Sequence, residues 1–252
     1  MKSLNPFKHL SYDIWTKLFA VLNHALLLFG LLYFFEWTGV AVGFALYLFI
    51  VTVGTSIGYH RYFTHKAFET TQAKENFLLF VGSIAGLGPV LGWSGIHRKH
   101  HAFGDGEGDP HSPKKGFFRS WFHFFNPKIV ESRFISDLIK KPMIKLQHKW
   151  YFEFLTLYIV LGYAVFGLWA IYFVSMPMVL MFHVTGFVNA FTHTFGKRVE
   201  GSNSDARNIP IMSLLTGGES YHANHHKSAK QAIFGKWDPA KIFLPILRGK
   251  PV

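Results

Sequence analysis

Histidines carry the first chemical signal in this chain. In HRKHH, His97, His100 and His101 stand at i, i+3 and i+4, and YHANHH repeats that spacing at His222, His225 and His226. A helix turns about 100° per residue, so residues at these offsets share a face and their three neutral imidazoles point into one volume. HRYFTH adds a looser pair, His60 and His65. Eight of the 15 histidines fall in these three short boxes, which scattered core or surface histidines would not do. The chemistry this spacing predicts is metal coordination through imidazole nitrogen.

His60 and His65 are about 140° apart on an ideal helix, so a common site requires the chain to bend, with Tyr62-Phe63-Thr64 the place for it. In VNAFTHTFG, Asn189 and His193 stand at i, i+4; on spacing alone a metal-site pair and a polar helix-packing pair are equally open. His9, His24, His111, His123, His148 and His183 fall outside any repeated spacing. The chain has no cysteine, which excludes disulfides, iron–sulfur clusters and thiolate zinc sites, so a metal is held by nitrogen and oxygen. Eight or nine imidazoles are more than a tetrahedral zinc ion takes and suit two ions of higher coordination. Iron fits, because imidazole binds it and open positions permit oxygen chemistry. A bundle with bridging glutamates and paired Glu-x-x-His motifs is excluded, since only Glu219-x-x-His222 has that form. Glu219 and Asp109 are better placed to accept from imidazole N–H groups and fix ring orientation. Each also suits a cap or a turn, and Asp109-Pro110 favours a turn.

The elements that must position these residues lie in a membrane. Half of the 252 residues are hydrophobic, with 28 Phe, 10 Tyr and 7 Trp, and uncharged runs long enough to cross a bilayer core of about 30 Å recur. We read a single all-α integral membrane domain, 1–252, with four transmembrane helices at 18–35, 38–60, 154–175 and 177–196. They form two hairpins, the second turning at Met176-Pro177. A fifth uncharged run, 76–97, is broken by glycines and Pro89, and a full crossing would separate the first histidine box from the second. It is read as a re-entrant or interfacial segment within a cytosolic helical cap formed by 61–151 and 197–252. All 26 Lys and Arg fall at one end of this arrangement, which makes that end, both termini and the histidine boxes cytoplasmic. The net charge of +12 is then basic surface beside anionic lipid and no sign of nucleic acid. The N-terminus shows no cleavage pattern of a removable signal peptide.

HRYFTH, HRKHHAFGDGEGDPHSP and GGESYHANHH, with apolar hairpins before the first and third, resemble the membrane-bound fatty acid desaturases, in particular the Δ9 stearoyl-CoA-type group and its bacterial relatives. The resemblance covers about residues 18–240. It implies a mushroom-like fold with a dinuclear iron centre under the cap, and removal of two hydrogens from a saturated fatty acyl chain with O₂ as co-substrate. It also implies that His60, His65, His97, His100, His101, His222, His225 and His226 are iron ligands, with His193 the ninth and Asn189 acting through a water. Methylene carbons offer no acidic proton, so an oxidising metal centre takes the place of acid–base catalysis. The chain after Trp237 is too short for a fused cytochrome b5-like haem domain, so a separate electron donor of ferredoxin, rubredoxin or cytochrome b5 type, with its reductase, is expected to meet the basic cap.

An acyl channel must run from the site toward the membrane. Ser56, Thr52 and Leu48 lie one, two and three turns below His60, so bulk there is expected to limit chain length. Trp93, four residues before His97, either lines the channel bend or anchors at the interface. Many acyl-CoA desaturases have Arg-Asp where this chain has Gly95 and Ile96, which leaves coenzyme A, acyl-carrier protein and intact lipid open as acyl carriers. Ala223 replaces the usual asparagine of the third box without touching the histidine set. Two other functions compete. A membrane di-iron alkane or lipid hydroxylase would yield an alcohol instead of an alkene. A non-enzymatic metal-binding or transport protein would need polar residues deep in the bundle, where the spans offer few beyond Asn23, His24, His183 and Asn189.

Overall fold

In a bilayer the backbone must satisfy its own polar groups, so long apolar runs fold as helices. The computed structural model describes residues 12–122, 130–202 and 204–249. Nine helices appear among them: α1 Tyr12–Tyr33, α2 Trp37–Thr64, α3 Gln72–Ser83, α4 Val90–Phe103, α5 Phe117–Trp121, α6 Pro142–Phe166, α7 Ile171–Phe191, α8 His222–Lys227 and α9 Ala240–Leu247. Strand pairing among the described residues is confined to two isolated bridges, Lys197 with Asn208 and Asn208 with Tyr221. Four stretches are long and apolar enough to cross a membrane: Ile14–Tyr33, Trp37–Thr64, Pro142–Trp169 and Ile171–Phe191. The all-α, four-span architecture read from the sequence is the one observed.

The spans divide into an outer and an inner pair. Only 17% and 11% of the apolar windows of α1 and α6 are buried within the protein, against 56% for both α2 and α7. Leu32, Val21, Leu157 and Val165 accordingly present bare hydrocarbon outward. The inner pair packs closely through small residues: a Cβ added at Gly43 would lie 2.5 Å from the Tyr172 carbonyl oxygen, and Gly39, one turn earlier, faces the Tyr172 ring. Tyr172 also closes the first hairpin, since its hydroxyl accepts the Glu36 N–H at 2.7 Å and donates to the Phe34 carbonyl.

All four spans differ in their bounds from the expected 18–35, 38–60, 154–175 and 177–196, the third most, since it starts at Pro142, and two of the differences bear on the site. The second hairpin turns at Gly167–Trp169, where Gly167 takes φ 55, and not at Met176-Pro177. Pro177 does occupy the first turn of an α-helical segment, as its missing N–H allows, but Ile171–Ser175 before it are wide π-helical turns and no loop. The span expected to end at His60 continues to Thr64, because Ile50–Thr64 also winds in π-helical turns. The run at 76–97 is split, as its glycines suggested, into α3 and α4. Gly86 and Gly88 in the connection take φ 76 and 91. α3 lies against the widened half of α2, which brings the start of α4 beneath the first histidine box.

Candidate metal centre

α2, α4 and α8 each end on histidines, and these three ends converge. The His65 N–H donates to the His60 carbonyl at 3.1 Å, five residues back. In such a π turn the fifth residue comes round nearly in register, so the two rings approach to 4.8 Å without the bend expected at Tyr62-Phe63-Thr64. α4 carries the second box and stops at Gly104, which adopts φ 37 and returns its N–H to the His100 carbonyl. α8 is little more than the third box itself.

The boxes do not each fill one volume; they divide crosswise. His60, His65, His97, His101 and His225 form one group and His100, His193, His222 and His226 another, each offering nitrogens within 4.8 Å of one another. Each HxxHH box sends its i, i+4 pair to one group and its middle histidine to the other, because the middle residue stands about 100° from the last on the helix. In the first group His60 Nε2 is 2.9 Å from His97 Nε2 and 3.0 Å from His225 Nε2, and His101 Nε2 is 2.8 Å from His225 Nε2. In the second, His222 Nε2 is 3.0 Å from His193 Nε2 and 3.1 Å from His226 Nε2.

Three carboxylates determine which nitrogens face inward. Glu219 Oε2 lies 2.6 Å from His60 Nδ1, Asp109 Oδ2 lies 2.7 Å from His100 Nδ1, and Asp105 Oδ2 lies 3.0 Å from His193 Nδ1. A carboxylate only accepts, so His100 and His193 carry hydrogen on Nδ1 and turn bare Nε2 lone pairs into the group, while Glu219 lies against the Nδ1 edge of His60 and leaves its Nε2 facing in. Burial opposes ionisation of all three acids. At Glu219 it is outweighed by His60, Arg61 and Ser56, at Asp109 by His100 and His111, and at Asp105 by His193 and the Asp205 N–H, so each carboxyl is held below its usual range. Burial, reinforced by the neighbouring imidazoles, pushes His65, His97, His101, His222, His225 and His226 well below the usual histidine value. They are neutral at pH 7, the form that coordinates.

Bare lone pairs about 3 Å apart repel, and a cation between them removes that repulsion. Ligand nitrogens about 2 Å from a metal and at right angles stand about 3 Å from each other, which is the spacing seen here. His65 Nε2 adds a buried nitrogen without a hydrogen-bond partner. The donor set therefore fits two metal ions held by nitrogen.

Asp105 escaped the sequence reading. It follows Gly104 at φ 62, in a left-handed conformation, and its only visible signal was its place four residues before Asp109 in the glycine-rich DGEGD loop. His111, outside the repeated spacing, stacks on His100 with ring centroids 4.4 Å apart, and its N–H donates to Asp109. His24 and His183 pair with each other within the bundle, Nε2 to Nε2 at 3.1 Å. His9 and His123 lie outside the described residues.

A pocket adjoins both groups, touching His60, His97, His222, Glu219 and Asn189. Trp93 walls it and stacks on His97 at 5.2 Å. From α2 the walls are Thr55 and Val51. Ser56, Thr52 and Leu48 do not line it: the single Ser56 hydroxyl proton lies within reach of both Glu219 and the Gly217 carbonyl, Thr52 is buried, and Leu48 packs on the core. The π winding of Ile50–Thr64 places Thr55 and Val51, one residue from α-helical spacing, beside this pocket. Thr185 and Asn189 are shared with a second pocket that runs on between α1 and α7 past Met178 and Phe182.

A family model described as fatty acid desaturase matches residues 35–232, a stretch holding all nine of these histidines. The chain belongs to the fatty acid desaturase family. It is 34% identical over 210 residues, 80% of this chain and 76% of the relative, to an sn-1 stearoyl-lipid 9-desaturase of Anabaena variabilis. It is 33% identical over 231 residues, 88% of this chain and 72% of the relative, to the protein of that description from a Synechocystis species. A Delta-9 acyl-lipid desaturase 2 of Arabidopsis thaliana is 32% identical over 240 residues, 90% of this chain and 76% of its own length. The protein is thus a membrane oxidoreductase acting on fatty acyl chains. In this desaturase Ile96 is fully buried, and a Cβ at Gly95 would meet Val130 at 2.4 Å, so neither position offers a charged contact to a carrier. Ala223 is buried inside α8.

Proposed function

We propose that this desaturase introduces a double bond at the Δ9 position of a saturated acyl chain esterified to membrane lipid, using O₂ and two iron ions. The observation that carries the reading is the crosswise division of nine imidazoles into groups of five and four, with carboxylates fixing the inward nitrogens. His60, His65, His97, His101 and His225 hold one iron. His100, His193, His222 and His226 hold the other, with Asn189 reaching it through a water. Iron bound there supplies the oxygen chemistry that unactivated methylenes require. The acyl chain loses two hydrogens while O₂, two electrons and two protons become two waters.

The chain's own residues do the rest. Glu219, Asp109 and Asp105 keep the rings oriented, and Trp93, Thr55 and Val51 hold the methylenes beside the centre in a largely apolar pocket. The lipid carrier is supported by the names of the relatives and by the apolar packing of Gly95 and Ile96. Neither short connection, 34–36 nor 167–170, carries Lys or Arg, which supports a cytoplasmic centre with both termini on that side. Electrons arrive from a separate acidic carrier of ferredoxin, rubredoxin or cytochrome b5 type, served by its reductase, that meets the basic cap. Expression in a host lacking Δ9 unsaturation, with fatty-acid methyl esters resolved by lipid class and double-bond position, tests the reading. Δ9 alkenes in glycerolipid are expected. No new unsaturation despite two bound irons and a competent donor refutes it, and an alcohol in place of an alkene identifies a hydroxylase.

A further inference from the structure

Arg61 is fully buried, directly after His60, and a guanidinium without solvent must find anions. It finds two. Its Nη2 donates to Asp238 Oδ2 at 2.8 Å, and its Nη1 donates to Ser56 Oγ and lies 3.4 Å from Glu219 Oε1. The guanidinium carbon also stands 3.9 Å from the centroid of the Phe234 ring, and that ring packs 4.8 Å from His225 and 5.7 Å from His60. Asp238 is equally buried. It accepts the Phe234 N–H at 2.8 Å and the Ala240 N–H at 3.0 Å, so it holds the segment 234–240 in place. It also abuts the residue before Glu219: a Cβ at Gly218, where φ is 94, would lie 2.4 Å from Asp238 Oδ1 and 2.9 Å from Arg61 Nη2.

One chain of contacts therefore runs from Asp238 through Arg61 to Glu219, and from Glu219 to His60. A parallel branch runs through Phe234 to His225. Both end on the five-imidazole group. The four-imidazole group is held by Asp105 and Asp109, on a different loop. Asp238 and Phe234 lie beyond residue 232, where the family match ends.

We propose that Arg61 and Asp238 are positioning residues for the five-imidazole iron site alone, so that the segment around 234–238 belongs to the metal machinery. This rests on the di-iron reading above. Arg61→Lys keeps the charge but loses the planar fork that bridges the two carboxylates, and Asp238→Asn keeps the shape but leaves Arg61 drawn to Glu219 only.

The test uses full-length protein in detergent, loaded anaerobically with ferrous iron. Iron per chain is measured, followed by the time course of its release to a chelator and the helical content by circular dichroism. Wild-type protein is expected to hold about two irons. Each variant is expected to release one of them at least 10-fold faster while the other leaves at the wild-type rate, the scale seen when a supporting partner of a metal ligand is removed. Wild-type release of both irons from both variants overturns the proposal, as does equal acceleration of both irons with helical content intact. If Asp238→Asn loses helical content, Arg61→Lys decides by the same criteria. Wild-type protein that binds no iron overturns the di-iron reading and this proposal with it.

Discussion

Replacing Asp105 is expected to weaken one half of the centre and spare the other. Its buried Oδ2 accepts from His193 Nδ1 at 3.0 Å and from the Asp205 N–H at 2.9 Å. Asp105→Ala removes both acceptors, leaving the His193 ring without its orienting partner. A charged hydrogen bond of this kind contributes about 1.5–3 kcal/mol. Losing it from the four-imidazole group should weaken iron there by roughly 10- to 140-fold, at about 1.4 kcal/mol per tenfold. Asp105→Asn can turn its amide oxygen to both donors, exchanging a charged acceptor for a neutral one. That difference is about 1 kcal/mol, or roughly fivefold. Competition with a graded series of ferrous chelators reads both sites, because the affected one should separate as a weaker phase. The reasoning is refuted if Asp105→Ala binds both irons with wild-type affinity, if Asn is more damaging than Ala, or if both sites weaken together.

Two further predictions concern pH and the cavity. Burial depresses seven of the site histidines below 6.5 in the folded state, so below about pH 6.5 the unfolded chain binds protons that the folded chain does not. Stability of the metal-free protein should be level above pH 7 and fall as the pH drops from about 6.5 to 5, read as the thermal midpoint of tryptophan fluorescence; a midpoint that rises on acidification would show that the imidazoles are not held neutral. Thr55→Trp fills the cavity beside His60 and should shorten or abolish the accepted acyl chains. Leu48→Trp, on the core side of the same helix, should leave the fatty-acid profile unchanged, and the reverse pattern would return the channel wall to the α-helical face.

The histidine boxes and the spans were legible because both are local patterns. HRKHH and YHANHH display helical periodicity within five residues, and a run of apolar residues is its own evidence for a span. The glycines and Pro89 of 76–97 likewise announced a break. What stayed hidden was the winding of the helices. Nothing in the composition of Ile50–Thr64 or Ile171–Ser175 distinguishes π from α turns. That one difference made the expected bend at Tyr62-Phe63-Thr64 unnecessary and put Thr55 and Val51, rather than Ser56, Thr52 and Leu48, on the pocket beside His60.

The sequence by itself determined that imidazoles in helical register would meet on one side of a four-span bundle, because the 3.6-residue period and the hydrophobic length rule act over a few turns. It could not say that each box would split its histidines between two groups. That depends on which other helix end arrives at each angle, and those ends come from residues 29 to 165 positions apart. The same holds for Asp105 on His193 and for Asp238 on Arg61, where a buried charge chose its partner only after the chain had closed around it. Spacing brought the histidines together on each helix, and tertiary packing decided which group each would join.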